Sequence, residues 1–150
     1  MKVSKKDISY FSIQLGILFG YFIPINLTEF PIPILLTAVS LVLLLMGFAM
    51  AVIAIFQLSK KLSPFPSPAK NAVLQTRGVY KLSRHPIYTG LFLMTLAFGI
   101  MTGSLWKILF SVVLLAFFYV KSNYEEELLS EKFQEYESYQ KKTGRFFPKF

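Results

Sequence analysis

Residues 32–56, IPILLTAVSLVLLLMGFAMAVIAIF, form a long apolar stretch without a single charged side chain. About 20 such residues are enough for an α-helix to cross the hydrocarbon core of a bilayer. The composition of the whole chain agrees, since 54% of its 150 residues are hydrophobic and only 16% are charged, where soluble domains are about a quarter charged. The stretch therefore predicts a transmembrane helix.

Three further apolar segments, 8–27, 86–101 and 105–120, extend this prediction along the chain. The last two are shorter than a usual span, and the tight connection between them, residues 102–104, predicts an antiparallel hairpin. A chain of this length suits one domain. We therefore predict an all-α integral membrane bundle of about four transmembrane helices, with residues 1–150 forming a single domain.

The positive charges are distributed unevenly around these segments. Of the 16 lysines and arginines, all but Lys107 lie before the first segment, in the loop 57–85, or after residue 120. With four spans, these three regions lie on the same side of the membrane. Because cytoplasmic loops carry an excess of Lys and Arg, we expect a multi-pass protein with both termini in the cytoplasm. The first apolar run is too long for a signal peptide and lacks a small-residue cleavage site, so we expect a retained helix.

The last predicted element is an amphipathic C-terminal helix over residues 123–142. Leu128, Leu129, Phe133 and Tyr136 fall on one face at helical spacing, with glutamates and lysines opposite. Next to a membrane, such a helix either lies on the cytoplasmic interface or caps the bundle.

The composition also excludes several classes of site. The chain has no cysteine and one histidine, His85, so a disulfide framework, a thiolate metal site and a histidine-rich metal site are excluded. A net charge of +8 is typical of nucleic-acid binding. Here, however, the basic residues follow a membrane face, and the C-terminal segment interleaves them with acids. We therefore predict membrane lipid, and no nucleic acid, as the partner.

Polar side chains gather before the third apolar segment. Pro86 suits the first turn of a helix, which places Arg84 and His85 at the helix N-terminus, where free N–H groups favour an anion. Tyr80 and Tyr88 supply flat faces for a base or a cation. The alternative is that these are interfacial residues, with cations meeting lipid headgroups and tyrosines forming an aromatic belt.

A second group follows the fourth apolar segment. Lys121 lies four residues before Glu125, so the two share a helix face, and Glu126 and Glu127 follow directly. The alternative interpretation is a solvated charged face. Further on, Arg145 has the charge to hold a lipid headgroup or a substrate carboxylate, although a single arginine in such a segment is more often a lipid contact.

In their order along the chain, these residues resemble the isoprenylcysteine carboxyl methyltransferase family and, more loosely, the phospholipid methyltransferases. The likeness covers residues from 64 onward. The matching positions, in order, are Gly78, Tyr80, Arg84, His85, Pro86, Tyr88, Gly90, Glu125, Glu126, Leu129, Phe133, Tyr136, Tyr139, Arg145 and Pro148.

The resemblance implies methyl transfer from S-adenosylmethionine, bound at the cytoplasmic ends of the last two spans and covered by the C-terminal helix. The implied cofactor-binding residues are Val73, Leu74, Gln75, Tyr80, His85, Pro86, Ile87, Tyr88 and Glu125. The implied catalytic residues are Lys121, Glu125 and Arg145. Lys121 stands where the family often has an arginine, which keeps the charge but loses bidentate geometry.

The acceptor stays open at this point. It is predicted to be lipophilic or lipid-linked and to carry a carboxylate, an amine or a thiol. A carboxylate needs no general base, whereas an amine needs one, for which His85 or a glutamate is available. Two other functions are compatible with the sequence, namely an NADPH-dependent membrane reductase of similar architecture and a non-catalytic membrane module.

Overall fold

A computed structural model describes residues 4–25, 29–58 and 73–149. These residues form five α-helices and one short 3-10 helix, and no strand longer than an isolated bridge occurs among them. The all-α prediction is therefore confirmed for the described residues. Residues 59–72, about half of the predicted loop 57–85, lie outside them. The helices are α1 (Lys5–Phe22), α2 (Ile34–Leu58), α3 (Pro86–Met101), α4 (Leu105–Lys132) and α5 (Tyr136–Lys142), and the 3-10 helix is Gly78–Lys81.

Two of these helices, α2 and α4, are long and apolar enough to cross a membrane. Only 22% of the most apolar part of α2 and 28% of that of α4 is buried within the protein. Their apolar side chains therefore mostly face outward, unlike those of a core helix in a soluble protein. Helix α3 is apolar but shorter, at 16 residues, so the four-span count stays a prediction.

The first helix has different bounds from the predicted segment 8–27. It begins at Lys5 because Ser4 and Asp7 form a capping box, in which each side chain bonds the other residue's backbone N–H. It ends at Phe22 because Ile23 is extended and is followed by Pro24, which disfavours helical backbone before it.

The predicted division between a span 105–120 and a separate helix 123–142 is wrong. Helix α4 runs without interruption from Leu105 to Lys132, since no Gly or Pro interrupts that stretch. The chain leaves the helix at Phe133, which is extended, and resumes as the seven-residue α5. Phe133 and Tyr136 are therefore not on one helical face. This break returns the chain toward α3, where Tyr136 and Tyr139 become buried.

Helices α2 and α3 pack together most closely through two glycines. A Cβ atom on Gly90 would lie 2.5 Å from the carbonyl oxygen of Gly47 and 2.8 Å from the Cβ of Ala51. A Cβ on Gly47 would likewise lie 2.8 Å from the carbonyl oxygen of Gly90. Small residues at such crossings let two backbones approach within van der Waals contact.

We expect Gly90→Ala to separate α2 from α3 and to destabilise the fold by about 1–3 kcal/mol, the usual range for overpacking. The matched control is Gly16→Ala on α1, where an added Cβ meets no atom within 4 Å. Thermal unfolding in detergent tests this, with a lower midpoint for Gly90→Ala alone. Equal midpoints for the two variants would contradict the packing described.

The helix ends and the segments that connect them form two groups, one at each end of the bundle. At one end, the segment before α2 meets the α3–α4 turn, where Phe30 donates its N–H to the carbonyl of Gly103 at 3.2 Å. At the other end, the start of α1 meets the latter part of α4, with the Tyr10 and Tyr124 rings stacked at 5.5 Å. Gln57, near the end of α2, accepts from the N–H of Val79 at 3.2 Å, so the 3-10 helix joins this second end.

Candidate functional site

Glu126 is the centre of a buried polar cluster at this second end of the bundle. Its carboxylate, on α4, is only 5% exposed. Arg84 donates to both of its oxygens, at 2.9 and 3.2 Å. His85 Nε2 lies 3.0 Å from Oε1, and Oε2 accepts from Arg145 at 3.1 Å and from Gln140 at 2.9 Å. One carboxylate therefore joins the start of α3, the end of α4 and the C-terminal segment.

The neighbouring Glu125 has a different environment. Its Oε2 lies 3.3 Å from Nδ1 of His85, and its Oε1 accepts a hydrogen bond from the hydroxyl of Tyr88. The Glu125 side chain remains 14% exposed. His85 thus lies between two carboxylates, one of which is enclosed by cations while the other keeps access to the exterior.

Aromatic rings form a stack beside Glu125. The His85 and Tyr88 rings are parallel within 1°, with centroids 5.5 Å apart. The other face of the stack continues to Phe118 of α4, whose ring lies 4.4 Å from that of Tyr88. Burial and, second, the negative charge of Glu125 raise the pKa of the Tyr80 phenol to about 12. A carboxylate with flat aromatic surfaces beside it is suited to an organic cation.

The C-terminal segment covers the start of α3 through backbone contacts. Arg84 donates its N–H to the carbonyl of Gly144 at 2.9 Å, and His85 donates to that of Arg145 at 3.1 Å. The Thr89 hydroxyl donates to the carbonyl of Phe146 at 2.8 Å. The backbone N–H groups of Arg84 and His85 therefore already have acceptors, and the binding of an anion at the start of α3 stays a prediction.

Helix α5 is fixed to the 3-10 helix by tyrosines. The hydroxyl of Tyr139 donates to the carbonyl of Tyr80 at 2.6 Å, and the hydroxyl of Tyr80 lies 3.5 Å from the carbonyl of Ala54 on α2. Gly78, which begins the 3-10 helix, has a φ of 63°, a conformation that favours glycine. These contacts hold Tyr80 at the same end of the bundle as Glu125.

The two predicted cationic residues occupy different positions. Lys121 is 2% exposed, donates to Oε1 of Gln14 at 2.8 Å, and lies 5.1 Å from the centroid of the Tyr88 ring. Arg145 is more accessible. Its guanidinium lies 4.6 Å from the centroid of the Tyr119 ring and donates to Asn123, besides its bond to Glu126.

The remaining predicted residues lie around this cluster with fewer contacts. Pro86 is buried in the first turn of α3, and Ile87 is half-buried beside it. Val73 and Leu74 line an open groove of about 360 Å³ together with Thr76, Phe133 and Glu135, and Gln75 is half-buried next to that groove.

Sequence reasoning gave no role to four residues that hold the cluster together, namely Ser83, Glu126, Gln140 and Thr143. Glu126 stood beside Glu125 in a run of three glutamates, and nothing in the sequence separates their roles. Arg84 donates to the carbonyl of Thr143, and Ser83 donates to that of Arg145. These contacts form because the chain turns back after Phe133. The predicted helix 123–142 runs through Phe133 without a turn, so it did not indicate them.

Two glutamates control the protonation of His85. Burial opposes the charged imidazolium, but the hydrogen bonds and negative charges of Glu125 and Glu126 outweigh it and raise the pKa of His85 above 6.5. Histidine with such partners holds its proton to higher pH than free imidazole.

This raised pKa predicts a stability that depends on pH. Protonated His85 stabilises the fold fully below its unfolded pKa, and the contribution is lost as the pH rises through the higher folded value. We expect the melting temperature of the wild type in detergent to exceed that of a His85→Gln variant at about pH 6, and the difference to shrink toward about pH 9. A difference that stays constant across this range would contradict protonation as its cause.

The geometry defines a class of protein, namely a helical membrane protein with a cluster of carboxylates, cations and tyrosines at one end of its bundle. The sequence matches the profile of the family described as "Phospholipid methyltransferase" over residues 35–136, more than half of the chain. The chain therefore belongs to the phospholipid methyltransferase family. The resemblance to membrane methyltransferases inferred from the motifs is confirmed at this level.

Two curated relatives are also similar over part of the chain. The nickel-cobalt-cadmium resistance protein NccN of Alcaligenes xylosoxydans xylosoxydans is 34% identical over 86 residues. The cobalt-zinc-cadmium resistance protein CzcN of Cupriavidus metallidurans is 36% identical over 84 residues. Each match covers 55% of this chain and 39% of the relative, so the chain spans about two fifths of the length of these relatives.

Proposed function

We propose that this protein transfers a methyl group from S-adenosylmethionine to a lipophilic acceptor at the cytoplasmic face of a membrane. Membership of the phospholipid methyltransferase family supports the reaction class. The cluster around Glu125 and Tyr88, at the end of two helices long or apolar enough to lie in lipid, supports its location.

The observation that carries the proposal is the environment of the Glu125 carboxylate, that is, its partial exposure and its contacts. It is a partly exposed carboxylate that contacts His85 and Tyr88, whose rings are stacked. The chemistry of this donor set fits S-adenosylmethionine, because a carboxylate pairs with its ammonium and tyrosine rings suit its sulfonium or its adenine. When bound, this cofactor supplies an electrophilic methyl group. Residues 73–75 and 86–87 are retained as proposed cofactor contacts.

The proposed role of His85 differs from that implied by the resemblance. Both of its ring nitrogens face glutamates, at 3.0 and 3.3 Å, so we assign it to orienting Glu125 rather than to a direct contact with the cofactor. Orientation of a binding group by a neighbour is a common way to fix a site geometrically.

The acceptor we propose carries an ionised group that needs no general base. Both ring nitrogens of His85 face glutamates, so neither is directed at an acceptor from which it could take a proton. Lys121 supplies positive charge near the Tyr88 ring. Arg145 supplies positive charge near the Tyr119 ring on α4. An acceptor carboxylate on a lipophilic tail agrees with both features, and catalysis would then rest on positioning and exclusion of water.

The proposed topology has four spans within one domain of residues 1–150, with both termini in the cytoplasm. One end of the bundle contains the start of α1, the end of α2, the start of α3 and the latter part of α4. These are the helix ends that adjoin the basic segments of the chain, which supports this arrangement. Helix α5 and the segment after it lie against the start of α3 there, as expected of a cap.

The two metal-resistance relatives suggest a different context but not a different reaction. Among residues 4–25, 29–58 and 73–149, no group of three or more His, Cys, Asp or Glu side chains is arranged to hold a metal ion. Membership of the phospholipid methyltransferase family supports methyl transfer as the activity. An NADPH-dependent reductase suits the site less well, since Glu125 and Glu126 are unfavourable beside extra phosphates.

Isothermal titration of the purified protein in detergent with S-adenosylhomocysteine tests the proposal, with NADPH as the control ligand. Saturable binding of S-adenosylhomocysteine without binding of NADPH is the expected result. Binding of NADPH alone would support the reductase, and binding of neither would support a non-catalytic membrane module.

A further inference from the structure

Lys121 and Glu125 are placed to pair but do not. They lie four residues apart on α4, a spacing at which opposite charges readily interact. Both belong to the described residues, yet no ion pair joins them there; the ion pairs of Glu125 and Glu126 are with Arg84, His85 and Arg145. The lysine ammonium is directed elsewhere.

Its hydrogen-bond acceptor comes from α1. Nζ of Lys121 donates to Oε1 of Gln14 at 2.8 Å, and the lysine is 2% exposed, so this contact replaces much of its lost hydration. Of the two carboxylates whose negative charge acts on Lys121, Glu125 attracts it more strongly than Asp7, which lies on the same helix as Gln14. The Tyr88 ring lies on the remaining side, 5.1 Å from Nζ.

We infer that Gln14 is a positioning residue that keeps Lys121 away from Glu125 and so leaves the Glu125 carboxylate free to bind an ammonium group. Gln14 lies outside residues 35–136, the part of the chain that matches the family. Helix α1 thereby becomes part of the binding site, and not only of the bundle. The inference rests on the proposed function, because the ammonium group in question is that of the cofactor.

Gln14 affects cofactor binding because Lys121 and the cofactor's ammonium group compete for the Glu125 carboxylate. A lysine released from Gln14 can turn along its own helix face and pair with Glu125. A cofactor ammonium would then have to displace that internal ion pair, which weakens its binding. Gln14 prevents this without carrying a charge of its own.

Titration of the protein in detergent with S-adenosylhomocysteine tests the inference, because a second substitution at Lys121 should reverse the effect of the first at Gln14. We expect Gln14→Met to weaken binding about 3- to 10-fold, in line with the net contribution of one ordinary hydrogen bond. Gln14→Glu, which keeps an acceptor for Lys121, should bind like the wild type. In the double variant Gln14→Met/Lys121→Met, S-adenosylhomocysteine binding should return to within about twofold of the wild type, because no lysine remains to occupy Glu125. The proposed role of Lys121 toward the methyl acceptor does not enter this titration, which contains no acceptor. Gln134→Met, at an exposed position, is the matched control.

The outcomes separate a positioning role from a structural one. If Gln14 only stabilised the packing of α1, its replacement would weaken binding equally with or without Lys121, and the double variant would overturn the inference. Wild-type binding by Gln14→Met would overturn it too. Absence of binding by the wild type itself would instead overturn the proposed function, and the inference with it. Melting temperatures verify that each variant is folded.

Discussion

Replacement of Glu126 by alanine is expected to destabilise the protein by about 3–5 kcal/mol, the usual cost of removing one partner from a buried ion pair. Glu126 accepts from Arg84, His85, Arg145 and Gln140, and it and the Arg84 side chain are only 5% and 8% exposed. Without the carboxylate, three cationic side chains would face one another with too little compensating charge. Thermal unfolding in detergent measures the loss.

A local measurement shows where the loss occurs. The Glu126 carboxylate joins α3 and α4 to the segment around Gln140 and Arg145, so its removal should release that segment first. We expect faster trypsin cleavage at Lys141 and Lys142 in Glu126→Ala. The matched control is Glu127→Ala, one residue further on at an exposed position, which should melt and be cleaved like the wild type. Equal behaviour of the two variants would refute a central role for Glu126.

Replacement of Glu125 by glutamine is expected to weaken S-adenosylhomocysteine binding by about 10- to 100-fold while leaving the fold intact. The change removes a negative charge and keeps the shape and the contact with Tyr88, and hydrogen bonds to charged groups are worth about 1.5–3 kcal/mol. The Glu125 side chain is also more exposed than that of Glu126. Its neutralisation therefore leaves less buried positive charge without a partner.

Titration calorimetry on Glu125→Gln and Glu127→Gln compares two neighbouring carboxylates with different surroundings. Glu127→Gln should bind like the wild type. The thermal midpoint of Glu125→Gln should lie close to that of the wild type, in contrast to Glu126→Ala. Wild-type affinity in Glu125→Gln would remove the observation on which the proposed cofactor site depends.

The predictable part of the fold is that which depends on local sequence. An uncharged run of residues predicted α2 to within two residues at each end, and Pro86 marked the start of α3. The boundaries that were wrong depend on tertiary contacts. Helix α4 continues past Val120 because nothing local ends it, and Phe133 leaves the helix where the chain turns back to bury Tyr136 and Tyr139.

The candidate site divides in the same way. Its residues near α3, such as His85 and Tyr88, could be selected because their spacing and the adjoining proline place them at a helix start. The division of labour between Glu125 and Glu126 could not, because one residue along a helix rotates a side chain by about 100° and the sequence does not say which face meets Arg84. Nor could the use of Gln14, which is 107 residues away from Lys121 along the chain.

The most direct measurement of the central claim is methyl transfer itself. The purified protein is reconstituted with membrane lipids and lipid-linked proteins of its source cells and given S-adenosylmethionine labelled on the methyl group. The account predicts label in the lipophilic fraction with the wild type and with Glu127→Gln, and little or none with Glu125→Gln. No label above a protein-free control with the wild type, or equal label with Glu125→Gln, would contradict it.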